Sequence, residues 1–237
     1  MLRFAANIPA TATLVALNVL IHLAANGVPR WHRVFMLLGD NHGPAFFFGG
    51  HWWRPISAAF LHGGTLHLVM NMLSLVQVGL VLERLWGWKV MLTLYFGSAL
   101  IAALATMYWS PLIHSIGASG AVFGTFGALL VLASRMRRIW PQAMGRLRVI
   151  LAWLIGYNLL LGALLPQIDH AAHVGGLLAG MLGASLIRID ATHPDRLKPT
   201  AGSIALVAAV YCIVIVWAMP YAGAEVRQAA LGVLGSP

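Results

Sequence analysis

The sequence has very few charged residues: Asp, Glu, Lys and Arg make up only 9% of its 237 residues. Soluble domains carry about 25%, so the chain lacks the polar side chains that cover a surface facing water. A single cysteine excludes a disulfide framework and any zinc or iron–sulfur site built from cysteines. Hydrophobic residues make up 60%, and the mean hydropathy is +0.82. These values exclude a soluble enzyme and indicate an integral membrane protein.

Segments free of Asp, Glu, Lys and Arg are the ones able to cross a bilayer, whose ~30 Å hydrocarbon core takes about 20 apolar residues. The segment 90–134 is about twice that length, and Ser110-Pro111, typical of a turn, divides it. The sequence therefore predicts an all-α polytopic membrane helix bundle, a single integral membrane domain over 1–237. Its seven predicted spans lie near 9–26, 65–83, 90–109, 117–134, 149–165, 170–187 and 203–220.

Two segments near the N-terminus need separate interpretation. The first span follows Met1-Leu2-Arg3, but its apolar stretch is long for a signal peptide and six spans follow, so we expect a retained helix. The connection 27–54 is long and rich in Trp and Phe among glycines and prolines. Such aromatic residues favour the membrane–water interface, where we expect this connection to lie.

Basic residues determine the predicted orientation. With the N-terminus inside, eleven Lys and Arg residues lie on the inner side and only Arg30, Arg33, Arg54 and Arg227 on the outer side. This bias follows the positive-inside rule and places the C-terminus outside. It also explains the net charge of +9 without a nucleic-acid partner. Short loops and the lack of an organelle-targeting presequence lead us to expect a bacterial cytoplasmic membrane.

The predicted spans carry no Asp, Glu, Lys or Arg near their middle, which weighs against an ion-coupled transporter. Eight histidines map to the outer half of the bundle instead. Amphipathic side chains at an interface reach water at little cost, which is one explanation for them. Imidazole also suits zinc and copper, which is another. Carboxylate and thiolate ligands are scarce, so the sequence predicts neither a metal nor any other cofactor.

Ser119 lies among small residues, in Gly117-Ala118-Ser119-Gly120, at the outer end of the fourth span. One interpretation is helix packing, because small residues let membrane helices approach closely. The other is a serine nucleophile whose flanking glycines leave room for a peptide bond. A serine hydroxyl becomes a good nucleophile only when a neighbouring base takes its proton.

His173 is the predicted base, near the outer end of the sixth span. Gly176 and Gly180 follow it in a G-x-x-x-G pattern that permits close helix packing. If this face meets the small-residue face of the fourth span, His173 comes within hydrogen-bond reach of Ser119. Imidazole titrates near neutrality, so it can take the hydroxyl proton and return it to the leaving amine.

His67 and Asn71 lie four residues apart on the second span, so both side chains point from one helical face. A hydrogen bond between helices is one explanation. The other is an oxyanion hole, in which oriented donors stabilise the charge on an attacked carbonyl. The outer ends of spans two, four and six thus hold all the candidate groups, where water from the outer side can reach them.

Together these residues resemble the rhomboid family of intramembrane serine proteases. The resemblance covers about residues 9–187 and implies a six-helix core, to which the span near 203–220 is a C-terminal addition. The matching motifs are Trp53-Arg54, His62, His67-Leu68-Val69-Met70-Asn71, Gly79-x-x-x-Glu83-x-x-x-Gly87, Gly117-Ala118-Ser119-Gly120, and His173 with Gly176 and Gly180.

The resemblance implies that Ser119 is the nucleophile and His173 its general base, without a buried acid. It implies that His67, Asn71 and the Ser119 backbone N–H hold the oxyanion, and that Phe123 stacks near the base. Asp169, one turn before His173, either orients that histidine or lies in water at the rim. The other matching residues are implied to be structural: Arg54, His62, Glu83, Gly117, Gly176 and Gly180.

For Glu83 and for several glycines the sequence predicts specific surroundings. An unpaired buried charge is costly, so we expect Glu83 to meet backbone N–H groups or a basic neighbour. Gly79 and Gly87 are expected to let another helix pack closely. Gly156 and Gly162 make the fifth span plausible as a mobile element, and that span with the outer loop after it is the expected gate for a substrate.

The sequence thus predicts an intramembrane serine endopeptidase that cleaves single-span transmembrane proteins near the outer surface of the bilayer. Two alternatives stay open: a catalytically inactive rhomboid-like protein that binds membrane helices, and a histidine-lined metal transporter. The presence of both Ser119 and His173 argues against the inactive relative.

Overall fold

The computed structural model describes residues 8–164, 168–188 and 199–234. Within these ranges the chain forms ten α-helices, one short 3₁₀ helix (Ala58–Phe60) and no strand. The helices are α1 (Pro9–Gly27), α2 (Pro29–Gly39), α3 (Gly43–Phe47), α4 (Arg54–Ser57), α5 (Thr65–Trp86), α6 (Trp88–Trp109), α7 (Ser119–Met136), α8 (Pro141–Leu164), α9 (His170–Leu186) and α10 (Ala201–Leu234).

Seven of these helices coincide with the predicted spans. Six, namely α1, α5, α6, α7, α8 and α10, are long and apolar enough to cross a membrane. α9 has 17 residues, which is the lower end of the range for a membrane helix. The predicted all-α membrane bundle is confirmed, while the count of seven spans and the orientation stay predictions. Three basic residues assigned to the inner side, Arg3, Arg196 and Lys198, lie outside the described residues, as do residues 165–167.

The centre of the bundle is α7, 72% of whose apolar window is buried, against 17% for α8 and for α10. α7 packs directly on α9 through paired glycines. A Cβ atom on Gly176 would lie 2.0 Å from the Gly120 carbonyl oxygen, and one on Gly180 would lie 1.8 Å from that of Gly124. The two backbones therefore touch, which brings the first turns of α7 and α9 to the same end of the bundle.

Two helices extend beyond the predicted spans. α8 begins at Pro141 rather than near 149, because the charged residues that bounded the apolar window are themselves helical. α10 continues past Pro220 to Leu234, although proline removes a backbone donor and disfavours a helix interior. Its second half packs on the connection 27–54: Val226 is fully buried against Gly43 of α3. This tertiary packing outweighs the cost of the proline.

The connection 27–54 folds into α2 and α3 and ends at the start of α4. Arg54 is buried, and its guanidinium donates to the Asp40 carboxylate and to the Leu37 carbonyl oxygen. The Trp53 indole N–H donates to the Leu38 carbonyl oxygen at 2.9 Å. These bonds join the start of α4 to the end of α2.

Glu83 of α5 is buried next to the N-terminus of α1. Its carboxylate accepts hydrogen bonds from the backbone N–H groups of Ala10 at 2.8 Å and Thr11 at 2.7 Å, and from the Thr11 hydroxyl at 2.6 Å. A helix N-terminus carries free N–H groups and a partial positive charge, so it compensates the buried carboxylate. The expectation of backbone N–H partners is met.

The two glycines around Glu83 differ. A Cβ on Gly79 would lie 2.7 Å from the Thr11 hydroxyl oxygen, so this glycine does let α1 pack closely. Gly87 has no atom within 4 Å of such a Cβ, so the same expectation for Gly87 is wrong. Its φ of +86° lets the chain turn between α5 and α6, and that is its structural contribution.

Candidate active site

Ser119 is the first residue of α7, and Gly117 determines how the chain enters that helix. Gly117 has a φ of +124°, and its N–H donates to the Ala58 carbonyl oxygen at 2.9 Å. A Cβ on Gly117 would lie 2.8 Å from the His67 ring. Both the backbone conformation and the lack of space therefore require glycine here.

His173 is buried in the first turn of α9, and its ring stacks on Phe123. The two ring centroids are 4.1 Å apart and the planes differ by 11°. Phe123 lies one turn after Ser119 on α7, so the stack places the imidazole against the helix that begins with the serine. The Nδ1 atom of His173 is enclosed and has no hydrogen-bond partner among the described residues. Nε2 is thus the ring nitrogen available to Ser119.

Over the described ranges, no hydrogen bond joins the Ser119 hydroxyl to the His173 ring. Catalytic hydrogen bonds are often long in enzymes without substrate and shorten when substrate binds. The structure brings the two residues to one end of the α7–α9 contact, where Gly120 and Ala172 also meet: a Cβ on Gly120 would lie 3.7 Å from the Ala172 Cβ atom.

His67 faces the same place from α5. Its Nδ1 atom accepts a hydrogen bond from the Gly63 N–H at 3.4 Å, so the neutral ring carries its proton on Nε2. A Cβ atom on Gly117 would lie 2.9 Å from that Nε2 atom and 3.8 Å from the Ser119 hydroxyl oxygen. The two atoms therefore border the same space. An N–H donor is therefore directed towards the space next to Ser119.

Asn71 is buried one turn further along α5. One amide N–H donates to the His67 carbonyl oxygen at 3.0 Å. The amide carries two protons, so its second donor remains available on the face that Asn71 shares with His67.

His62 lies buried just before α5, with its ring 5.0 Å from that of His67 in an edge-to-face arrangement. Burial, and then the nearby charges of His67 and His22, lower the pKa of His62 to about 3, so its ring is neutral at pH 7. A neutral, enclosed ring supports the position of His67. Across the described residues, no three His, Cys, Asp or Glu side chains are grouped so that they could hold a metal ion.

The Asp169 carboxylate makes no hydrogen bond to the His173 ring and bonds instead to three other groups. One carboxylate oxygen accepts the Ala172 N–H at 2.9 Å and caps α9. The other accepts the Thr106 hydroxyl at 2.6 Å and the Ser115 hydroxyl at 2.5 Å. An Asp directly before an apolar helix is a typical N-cap signal, so the cap could have been found from the sequence. Sequence reasoning missed Thr106 and Ser115, since no local pattern joins residues so far apart.

The part of the chain that carries these residues is similar to known proteins. The model of the family described as "Rhomboid domain" matches residues 49–190. The chain is 36% identical over 138 residues to Rhomboid protease GluP of Bacillus subtilis (strain 168). This aligned region covers 58% of this chain and 26% of that protein. It is 36% identical over 156 residues to Rhomboid-like protease 3 of Toxoplasma gondii, covering 63% of this chain and 56% of that protein.

A third relative matches over nearly its full length. YdcA of Bacillus subtilis (strain 168) is 31% identical over 180 residues, which is 73% of this chain and 86% of that protein. The first two relatives are longer, and the chain spans between a quarter and somewhat more than half of them. The chain belongs to the rhomboid family, and with its apolar helices it is an integral multi-pass membrane protein.

Proposed function

We propose that the chain is an intramembrane serine endopeptidase that hydrolyses peptide bonds in or near transmembrane helices. The observation that carries this proposal is the contact of α7 and α9 through glycines, which sets the His173 ring on Phe123, one turn from Ser119. Family membership supports the proposal, since several relatives are named proteases.

The proposed chemistry begins with the Ser119 hydroxyl. Its oxygen attacks the carbonyl carbon of the scissile bond while Nε2 of His173 takes the proton. The same proton then passes to the leaving amine as the acyl-enzyme forms. A water molecule attacks the ester, again with His173 as base, and releases the new carboxylate and the free serine.

The oxyanion of each tetrahedral intermediate needs donors, and three are proposed here. The first is Nε2–H of His67, directed by the Gly63 N–H bond on the opposite ring nitrogen. The second is the unused N–H of Asn71, and the third is the backbone N–H of Ser119. Donors that are already oriented stabilise the developing charge without reorganisation, and each typically contributes ~10²–10³ in rate.

The proposed substrates are single-span membrane proteins with helix-breaking residues near the cut. Backbone groups of an intact helix are held in the i→i−4 hydrogen bonds, so the substrate must unwind before Ser119 can reach a carbonyl. Gly and Pro lower the cost of unwinding, because in a helix interior they are about 1 and 3 kcal/mol less favourable than Ala. A small residue before the cut fits the glycine-walled entry to α7.

Lateral entry beside α8 is proposed, because only 17% of its apolar window is buried. Gly156 has nothing within 4 Å of a Cβ position, whereas Gly162 meets His170 of α9 at 2.8 Å. α8 is therefore held to α9 near its outer end, and the face of its middle that carries Gly156 is open. The loop charges favour a site towards the outer side of the membrane, and the short loops favour a bacterial cytoplasmic membrane.

The test compares wild type with Ser119→Ala in detergent, using a labelled single-span substrate with a Gly-Pro break and a matched substrate in which Ala replaces both residues. We expect wild type to cleave the substrate with the Gly-Pro break, and Ser119→Ala not to cleave it. If both proteins bind the substrate and neither cleaves it, the chain is an inactive membrane-helix-binding member of its family. Cleavage that persists in Ser119→Ala would assign the nucleophile elsewhere.

A further inference from the structure

The Asp169 carboxylate joins three separate parts of the chain at the outer end of the bundle. It caps α9 through the Ala172 N–H, and it accepts the hydroxyl protons of Thr106 on α6 and Ser115 in the segment before α7. The Thr106 hydroxyl also lies 3.1 Å from the Ala102 carbonyl oxygen. Its single proton favours the shorter bond to the charged oxygen.

Two of these parts lead directly to the proposed catalytic pair. His173 follows Asp169 by one turn, and its N–H donates to the Asp169 carbonyl oxygen at 3.2 Å. Ser115 lies four residues before Ser119, and its backbone pairs with that of Asn41 through bonds of 2.8 and 3.1 Å. The carboxylate therefore connects the turn that carries the base to the segment that leads into the nucleophile.

The carboxylate makes no hydrogen bond to the imidazole. Both of its oxygens are engaged by the three donors, and the His173 Nδ1 atom has no hydrogen-bond partner within the described ranges. The hydrogen bonds of Asp169 therefore reach Ser119 and His173 only through the positions of α9 and the Ser115 segment.

We propose that Asp169 is a positioning residue, which holds the first turn of α9 and the entry to α7 at the spacing that Ser119 and His173 need. This inference rests on the proposed protease function. The loss of rate expected on removing Asp169 follows from the sensitivity of catalysis to geometry, since a displacement of about 1 Å can cost ~10²-fold in rate.

The test measures kcat, KM and Tm for Asp169→Ala, Asp169→Asn and Ser115→Ala in the full chain in detergent. Asp169→Ala removes all three bonds, and we expect kcat to fall about tenfold or more with KM within about twofold. Asp169→Asn keeps an oxygen for the Ala172 N–H and offers an amide N–H to each hydroxyl. Because the bonds and not the charge carry the effect, we expect Asp169→Asn to stay within about threefold of wild type.

The double variant Asp169→Ala/Ser115→Ala separates positioning from general destabilisation. If Asp169 acts through Ser115, removing both costs no more kcat than Asp169→Ala alone, because coupled residues are not additive. Should Asp169→Ala fail to fold, Ser115→Ala and Thr106→Val leave the α9 cap intact and are each expected to lower kcat several-fold. Ser185→Ala is the matched control, because that hydroxyl bonds only within α9, to Met181.

Three results would overturn the inference: an unchanged kcat in Asp169→Ala, an equal loss in Asp169→Asn and Asp169→Ala, or additive losses in the double variant. An equal loss in Asn and Ala would assign the effect to the charge. Failure of the underlying function is distinguishable, because wild type would then not cleave the substrate at all.

Discussion

Phe123 and His173 stack with their ring planes within 11° of each other, which fixes the imidazole of α9 against α7. Phe123 also contacts Phe126 in an edge-to-face arrangement, with centroids 5.8 Å apart and planes at 81°. Phe123 is thus a side chain through which the proposed nucleophile helix holds the proposed base, and it does so without a polar contact. The ring can rotate only at the cost of this stack.

Replacing Phe123 by leucine is expected to lower kcat, with a fall in Tm similar to that of another buried Phe→Leu change. Leucine fills most of the volume but cannot stack, and an aromatic pair contributes ~0.5–1.5 kcal/mol, or about twofold to tenfold in rate. Phe126→Leu is the matched control, since Phe126 touches Phe123 but its ring is not stacked on His173. Equal losses of kcat in both variants would mean that packing, rather than the stack, is what matters.

His67→Ala and Asn71→Ala are each expected to lower kcat by ~10²–10³ while substrate binding and Tm change little, because oxyanion donors act mainly in the transition state. Asn158→Ala is the matched control: Asn158 donates to Leu154 in the same local geometry as Asn71 does to His67, but on α8. Kinetics at saturating substrate measure the effect. If either site variant unfolds instead, a structural hydrogen bond is the better explanation of that residue.

Gly180→Ala is expected to destabilise the bundle, since its Cβ would lie 1.8 Å from the Gly124 carbonyl oxygen. Overpacking of this kind typically costs about 1–3 kcal/mol, and the contact here is with backbone, which cannot rotate away. Gly156→Ala has open space and should be neutral or stabilising by up to about 1 kcal/mol through helix propensity. Thermal unfolding in detergent compares them, and equal Tm values would contradict the close α7–α9 contact.

His62 predicts a dependence of stability on pH. Burial lowers its pKa from 6.5 to about 3, so between these values the unfolded chain binds a proton that the folded chain does not. Stability is therefore lost as pH falls from about 6.5 towards 3. His62→Leu should flatten that part of the Tm profile. Leu61→Ala, a buried neighbour without a titratable group, should lower Tm without changing the slope. A slope unchanged in His62→Leu would contradict the assignment.

The sequence predicted those parts of the fold that depend on local composition. Apolar windows predicted the seven long helices, and the glycine pattern after His173 predicted a close contact of its helix. The end of α10 was missed, because Pro220 favours a stop and only the packing of Val226 on α3 explains why the helix continues. The turn at Gly87 was mistaken for a packing contact, because glycine serves both purposes and only the backbone angle distinguishes them.

The sequence predicted which residues belong to the candidate site better than it predicted the contacts among them. Ser119, His173, His67 and Asn71 were found from motifs, because each lies in a short pattern with a chemical reason. Asp169 was found as a residue, but its partners were not. Thr106 and Ser115 lie 63 and 54 residues away along the chain, and only the packed bundle brings them to one carboxylate.

Covalent labelling of the protein by a fluorophosphonate, with the modified residue identified by mass spectrometry, tests the proposed Ser119–His173 pair most directly. Ser119 acting on its own would label slowly, whereas His173, as the proposed base, would accelerate the attack on phosphorus and the loss of fluoride. We expect an adduct on Ser119 in wild type, no adduct in Ser119→Ala, and strongly slowed labelling in His173→Ala. An unlabelled wild type, or labelling at Ser119 that is equally fast without His173, would contradict it.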